Sequence, residues 1–345
     1  MTAGYADSDC ADLKADPKPG PNWAEYLAGG LVNEDEARCL ESLSKIPIAH
    51  NDSRIWACCT ILGRQVSQEV IKYILDLLVQ PVHRLSFDDQ SLGQHWMENL
   101  YNLFKQFEKT SIHIRVLFLM SRLVRENSNS VVDCSTFLNI CRQTLQTLDP
   151  ELCIEALSAM TNTLEVDHVR LRLSQNERLI DAIKVNLATI TNQPQLQYNA
   201  LLCLWLVSFN ATAVTELLKR SNILPITMSI AKTATKEKVL RVAVGFWRNC
   251  LERCKETVMP VLIGARVLDF ISNCEKKQFS DPDLTFDLSF LKAELDAAIL
   301  KLSTFDEYSS EIKSGNLDWT PPHKSTLFWR TNAMRLNENN GELLR

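Results

Sequence analysis

Two stretches of this chain, Tyr198–Phe209 (YNALLCLWLVSF) and Leu240–Leu251 (LRVAVGFWRNCL), superpose with a shift of 42 residues that lays Trp205 on Trp247. Arg115–Val124 and Cys153–Leu164 share their character and stand about 38–40 residues apart. Recurrence at about 40–47 residues marks helical repeats of the HEAT or armadillo type. A single such unit cannot bury its apolar face, so neighbours must stack. One helix per unit is then apolar nearly all round, because it is covered from both sides. Tyr198–Phe209 reads as such a helix, with Leu201, Leu204, Trp205 and Phe209 expected to be buried. The spacing predicts an all-α fold, an armadillo/HEAT-like α-solenoid built as a superhelix of stacked helical repeats.

Composition agrees. Only 10 glycines and 12 prolines occur in 345 residues, too few for the turns and phosphate loops of sandwiches, barrels and nucleotide-binding α/β folds. Apolar residues make up 46 %, enough for a large core. Amphipathic helices are expected between the buried ones, with stripes at Val214, Leu217 and Leu218, at Ile223, Ile226 and Ile230, and at Leu284, Leu288, Leu291, Leu295 and Leu302. Near the start, Trp23, Tyr26 and Leu27 share a helical face, and Asn33 is placed to cap a helix opening with Glu34, Asp35 and Glu36. Polar breaks fall near Pro81–Asp89, Glu126–Ser130, Leu148–Pro150, Asp167–Leu171, Thr191–Pro194 and Thr233–Lys236. Pro150 and Pro194 sit where a helix begins and no amide is needed, and Asp149 is a natural N-cap.

The net charge of −5 and the lack of a dense Lys/Arg stripe leave nucleic acid without an electrostatic footprint. The first twenty residues are polar, broken by Pro17, Pro19 and Gly20, and do not resemble a signal peptide. The longest apolar run, Ala200–Phe209, is far below the ~20 residues that span a bilayer. Eleven cysteines, mostly in apolar helical stretches such as those of Cys58, Cys59, Cys153, Cys203 and Cys250, indicate free thiols in a reducing compartment. The expectation is a protein of the cytosol without a membrane span.

No catalytic, metal-binding or cofactor-binding residue is assigned. The phosphate-binding G-x-x-x-x-G-K-[ST] and G-x-G-x-x-G patterns and the zinc pattern H-E-x-x-H are all absent, and the six histidines are dispersed. Cys250 and Cys254 with Cys274 are the best metal candidates, but read more simply as packing thiols. His113 and Arg115 fall at a helix start and suit a surface or capping role rather than catalysis. Lys232–Arg241 (KTATKEKVLR) is basic and reads first as a solvated loop running into an exposed face, and second as a contact for an acidic group. Asn51-Asp-Ser53 and Asn210-Ala-Thr212 match glycosylation sequons that a cytosolic chain does not use.

The final forty residues carry specific strings. Leu302–Leu336 reads LSTFDEYSSEIKSGNLDWTPPHKSTLFWRTNAMRL. The FDEYSSE stretch, the S-G-x-L-x-W core and the H-K-S-x-x-F-W-R run, in that order, closely resemble the H subunit of the vacuolar-type proton-translocating ATPase. Gln195–Phe209, Lys236–Arg241 and Phe246–Leu251 extend the resemblance upstream, and Trp23–Leu27 with Gly29 and the acidic helix resembles the family's opening. The resemblance implies an armadillo/HEAT-like N-terminal domain and a smaller helical C-terminal domain in a non-catalytic subunit of the ATP-hydrolysing sector. It implies that the first domain grips the peripheral stalk, and that the second silences hydrolysis in the detached sector and contacts the membrane sector.

The expected organisation is a disordered tail over residues 1–20, the solenoid over 21–303, an aromatic and proline-containing connector over 304–325, and the start of a truncated C-terminal domain over 326–345. Stalk binding and support of coupling are then expected of this chain, which would sit on vacuolar or endosomal membranes only through the other subunits of the ATPase. Neither a cofactor nor a small-molecule substrate is expected. Phe305, Tyr308, Trp319, Phe328 and Trp329 are candidate partner-binding residues, since aromatic anchors dominate interfaces. The alternative is a generic armadillo adaptor binding extended peptides. Such adaptors carry a ladder of Trp–Asn pairs, at which only Trp247 and Asn249 hint here.

Overall fold

The computed structural model describes residues 23–302 apart from 44, 65, 81–83, 87, 109, 128–131, 190–192 and 278, with side chains as far as residue 299. Within these bounds the chain is helical throughout, with no strand among the described residues. It divides into two compact units that part within one helix, at Asn186 and Leu187. The first unit holds α1 (Trp23–Ala28), α2 (Glu34–Leu43), α3 (Ser53–Leu62), α4 (Gln68–Leu78), α5 (Gln90–Gln106), α6 (Thr110–Glu126), α7 (Cys134–Gln146), α8 (Pro150–Thr163), α9 (Asp167–Gln175) and most of α10 (Glu177–Thr189). The second holds α11 (Pro194–Val207), α12 (Ala211–Arg220), α13 (Leu224–Thr233), α14 (Glu237–Arg253), α15 (Lys255–Gly264), α16 (Val267–Cys274) and α17 (Pro282–Leu302). In the first unit α6 packs on α4, α5, α7 and α8; in the second α14 lies between α11 and α17. This is the layered stacking of an all-α solenoid.

Helices α3, α4, α5, α7, α8 and α12 start where a side chain satisfies a free amide. Asn33 Oδ1 accepts from the Glu36 amide at 2.8 Å, while the Glu36 carboxylate accepts from the Asn33 amide at 3.0 Å, a reciprocal cap. Asp149 accepts from the Leu152 amide at 3.1 Å, and Pro150 and Pro194 open α8 and α11. The expected break at Asp167–Leu171 is corrected: those residues form the first turn and more of α9, and the break falls at residues 164–166. Val169 is buried there, while Arg170 Nε reaches back to the Leu164 carbonyl at 2.5 Å, tying the new helix to the end of α8. A further break at Asn176 separates α9 from α10.

The repeat is written in buried amides. Asn99 Nδ2 donates to the Cys59 carbonyl at 2.9 Å, Asn127 to that of Leu85 at 2.8 Å, and Asn186 to that of Leu145 at 2.7 Å. In the second unit Asn249 Nδ2 donates to Ser208 Oγ at 3.0 Å. The separations are 40, 42, 41 and 41 residues, one repeat each. Leaving such a buried acceptor unpaired costs ~1–3 kcal/mol, so these bonds favour one stacking register over its neighbours.

Helix α11 buries a wide face, with Leu196, Ala200, Leu201, Cys203, Leu204 and Val207 fully buried, while Trp205, expected to be buried, is only part-buried. The expectation for Phe209 is corrected: it is 44 % exposed, because α11 ends at Val207 with Ser208 as its cap. The Phe209 ring rests in the turn against Trp205 at 5.5 Å between centroids. Leu284, Leu288, Leu291 and Leu295 form the buried stripe of α17. The Leu302 side chain lies outside the described residues.

Candidate interaction surface

Helices α3 and α5 pack together, and each begins with an aspartate cap. Asp52 accepts from the Arg54 amide at 2.9 Å; Asp89 accepts from the amide and hydroxyl of Ser91 at 2.8 and 2.7 Å. The loops ahead of the two helices are locked to each other. Asn51 Nδ2 donates to Asp88 at 2.8 Å, and the Asp88 amide donates to Asn51 Oδ1 at 2.9 Å. Asn51 holds a left-handed backbone at φ 56°, which asparagine tolerates better than most residues.

Between these ends lies a cleft of about 280 Å³ lined by Asn51, Asp52, Ile55, Trp56, Asp88, Asp89 and Leu92. Its floor is apolar and buried at Ile55 and Leu92, while Trp56 is 43 % exposed with its ring 6.4 Å from that of His95. The three carboxylates differ. Asp52 is closed off by Arg54, whose Nε and Nη2 bind it at 3.0 and 2.6 Å, and whose remaining donors reach the Ile46 and Pro47 carbonyls. The Asp88 side chain is largely exposed, with His50 Nε2 at 3.4 Å. Hydrogen bonds from Asn51 to Asp88 and from Ser91 to Asp89 hold both carboxyls below the usual aspartate range, so both are charged at neutral pH.

A second polar cluster joins α14 to α17. Asp287, almost fully buried, accepts from Arg241 Nη1 at 2.8 Å and Arg248 Nη1 at 2.6 Å. Arg241 also meets Asp281 at 3.3 Å and lies 5.2 Å over the Trp205 ring. Arg248 lies about 5 Å from the rings of both Phe286 and Phe290, of which Phe286 is 61 % exposed. Of the basic stretch Lys232–Arg241, Arg241 alone meets these acidic side chains, while Lys232, Lys236 and Lys238 are exposed, as expected of a solvated loop. Lys232 donates to the Ala265 carbonyl at 2.9 Å, and Lys238 to Gln195 at 2.7 Å.

The other candidates have structural places. His113 Nε2 lies 3.0 Å from the Phe104 carbonyl and its ring stacks on that of Phe104; Arg115 pairs with Asp76. Asn210 caps α12. Ten cysteines are free thiols, and no group of three or more metal-ligating side chains is gathered among the described residues. Burial pushes the thiols of Cys134 and Cys153 up to about 11 and that of Cys59 to about 12, keeping them protonated. Trp247 and Asn249 do not form a surface ladder: Trp247 is 1 % exposed with Nε1 donating to Thr227 at 2.9 Å, and Asn249 is buried against Ser208. No single helix among the described residues is long and apolar enough to cross a membrane. The candidate residues Phe305, Tyr308, Trp319, Phe328 and Trp329 lie outside the described residues.

Sequence reading missed the α3–α5 cleft. Its local signals were present: aspartates ahead of two helical patterns, and Trp56 one position off the Ile55–Cys59–Leu62 stripe. What joins them is the contact of Asn51 with Asp88, 37 residues apart, which no local pattern reports.

Two family models, both describing the V-ATPase H subunit, match this chain, the N-terminal one over residues 8–295 and the C-terminal one over 301–345. The V-type proton ATPase H subunit of Drosophila melanogaster is 29 % identical over 343 residues, covering 94 % of this chain and 72 % of that protein. A Caenorhabditis elegans protein, named as a probable H subunit of the V-type proton ATPase, is 35 % identical over 156 residues, 44 % of this chain and 34 % of that one. Among solved structures, an engineered protein is similar at a TM-score of 0.47 and 12 % identity, covering 76 % of this chain and 97 % of that one.

Proposed function

Because the chain belongs to the V-ATPase H-subunit family, a non-catalytic regulatory subunit of that proton pump, we propose that it binds the pump's peripheral stalk and supports the coupling of ATP hydrolysis to proton transport. The observation that carries this reading is the family match across residues 8–295, which takes in both helical units up to α17. A stacked-helix scaffold suits the role physically: its surface is ordered before docking, so little conformational entropy is lost on binding. On this reading the chain works on the cytoplasmic side and is held at vacuolar or endosomal membranes through the other ATPase subunits. Residues 21–303 supply the stalk-binding domain, 304–325 the connector and 326–345 the start of the second domain. Phe305, Tyr308, Trp319, Phe328 and Trp329 serve as partner contacts, a role that rests on their aromatic chemistry and on the family resemblance.

The test uses pump-bearing membranes stripped of their own H subunit. Added chain is expected to sediment with these membranes and to raise the ratio of proton uptake to ATP hydrolysed. A chain that stays in the supernatant at micromolar concentration contradicts the reading. The peptide-adaptor alternative gains nothing from the geometry, since Trp247 and Asn249 are consumed inside the core.

A further inference from the structure

Resting on the stalk-binding reading, we propose that the cleft between the starts of α3 and α5 receives one lysine or arginine side chain of a stalk protein. The alkyl stem lies along Trp56, Ile55 and Leu92, and the cationic head meets Asp88 and Asp89.

Shape, charge and exposure each restrict the occupant. At about 280 Å³ the cleft falls just short of the ~300–1,000 Å³ of ordinary small-molecule sites and has room for a long side chain. Its floor is apolar and its rim carboxylate, which suits a residue with a hydrocarbon stem and a charged tip. The rim is negative because the nearby guanidinium of Arg54 is already used: it is saturated by Asp52 and by the Ile46 and Pro47 carbonyls. Among the described residues Asp88 keeps only His50 as a cationic neighbour, and only when that ring is protonated. An acidic occupant would face two like charges.

The indole is the second line of argument. The apolar residues Ile55, Cys58, Cys59, Ile61 and Leu62 of α3 are all buried, while Trp56 stands 43 % exposed at the mouth of the cleft. Tryptophan is the side chain that most repays being covered at an interface, and its face also attracts cations. The paired loops, locked by Asn51 and Asp88, hold the rim in place before any partner arrives.

The experiment titrates the full chain with purified stalk heterodimer by calorimetry at low and at physiological salt. Asp88→Asn with Asp89→Asn removes both charges while keeping the cap and the hydrogen-bond acceptors, since asparagine caps helices as well as aspartate. This double variant is expected to bind about tenfold more weakly, with a shallower dependence on salt. Trp56→Ala is expected to bind about thirtyfold more weakly. Thermal midpoints near wild type show that the asparagine variant is folded. Wild-type affinity in both variants overturns the cleft and leaves stalk binding intact. Weaker binding with an unchanged salt dependence in the asparagine variant also overturns it, because no cation then meets the rim. Failure of the wild-type chain to bind the heterodimer overturns both readings together.

Discussion

The indole of Trp205 on α11 occupies the space that a side chain on Gly245 of α14 would need. A Cβ at that position would lie 2.8 Å from Trp205 Nε1 and 3.0 Å from its Cε2. This close approach is how two helices one repeat apart in sequence come to stack, with Arg241 covering the same ring. Gly245→Ala gains up to about 1 kcal/mol of helix propensity but forces the indole to shift, at ~1–3 kcal/mol. The expected result in urea denaturation is a net loss of about 1 kcal/mol. The same substitution made alongside Trp205→Leu should no longer cost stability.

Asp287 and Asp283 both meet Arg241 yet should respond differently to the same change. The Asp287 side chain is 5 % exposed and shared by two guanidinium groups, whereas that of Asp283 is 62 % exposed. Asp287→Asn takes the charge from between two arginines and should cost about 2–3 kcal/mol, less than the ~3–5 kcal/mol of a fully buried pair because both arginines keep some water. Asp283→Asn should cost under about 0.5 kcal/mol. Denaturant midpoints of the two variants, measured side by side, check the contrast.

The Arg54 guanidinium beside Asp52 holds that carboxyl below the usual aspartate range. A folded-state value below the unfolded one, ~3.9, means that the charged form is the one favoured by folding. Its contribution is complete above the unfolded value and is lost as pH falls through the folded one. The stability gap between wild type and Asp52→Asn should therefore be constant from pH 7 to about 5 and shrink below about 4. Denaturation curves from pH 7 to 2.5 measure that gap.

Cys39 and Cys59 should separate in a thiol-labelling experiment. Cys39 is half-buried, and a hydrogen bond with Cys58 lowers its pKa, while burial lifts Cys59 to about 12. Only the thiolate alkylates. Brief iodoacetamide treatment of the native protein at pH 7.5, read by peptide mass spectrometry, should mark Cys39 well before Cys59, Cys134 or Cys153. Under denaturant the four should react at similar rates.

Features that depend on neighbours in sequence are legible in the chain itself. Asn33 with its acidic followers, Asp149 before Pro150, and Pro194 all mark helix starts through interactions spanning three residues or fewer. The stacking of α11 on α14 is legible too, because a repeat writes its tertiary contact as a sequence period. The mistakes fall where tertiary contacts decide. Asp167–Leu171 looks like a break by polarity, but buried Val169 and the reach of Arg170 to Leu164 make it helix. Lys232–Lys238 is solvated as its polarity suggests, but Arg241 at its end is claimed by Asp281 and Asp287 some forty residues later. The α3–α5 cleft exists only because two loops from different helices interlock.

The most direct measurement of the central claim is a calorimetric titration of this chain with the purified stalk heterodimer, run beside a library of extended basic and acidic peptides. The account predicts saturable one-to-one binding to the heterodimer at micromolar affinity or tighter, and far weaker binding to any single peptide. Peptide binding without heterodimer binding would contradict it.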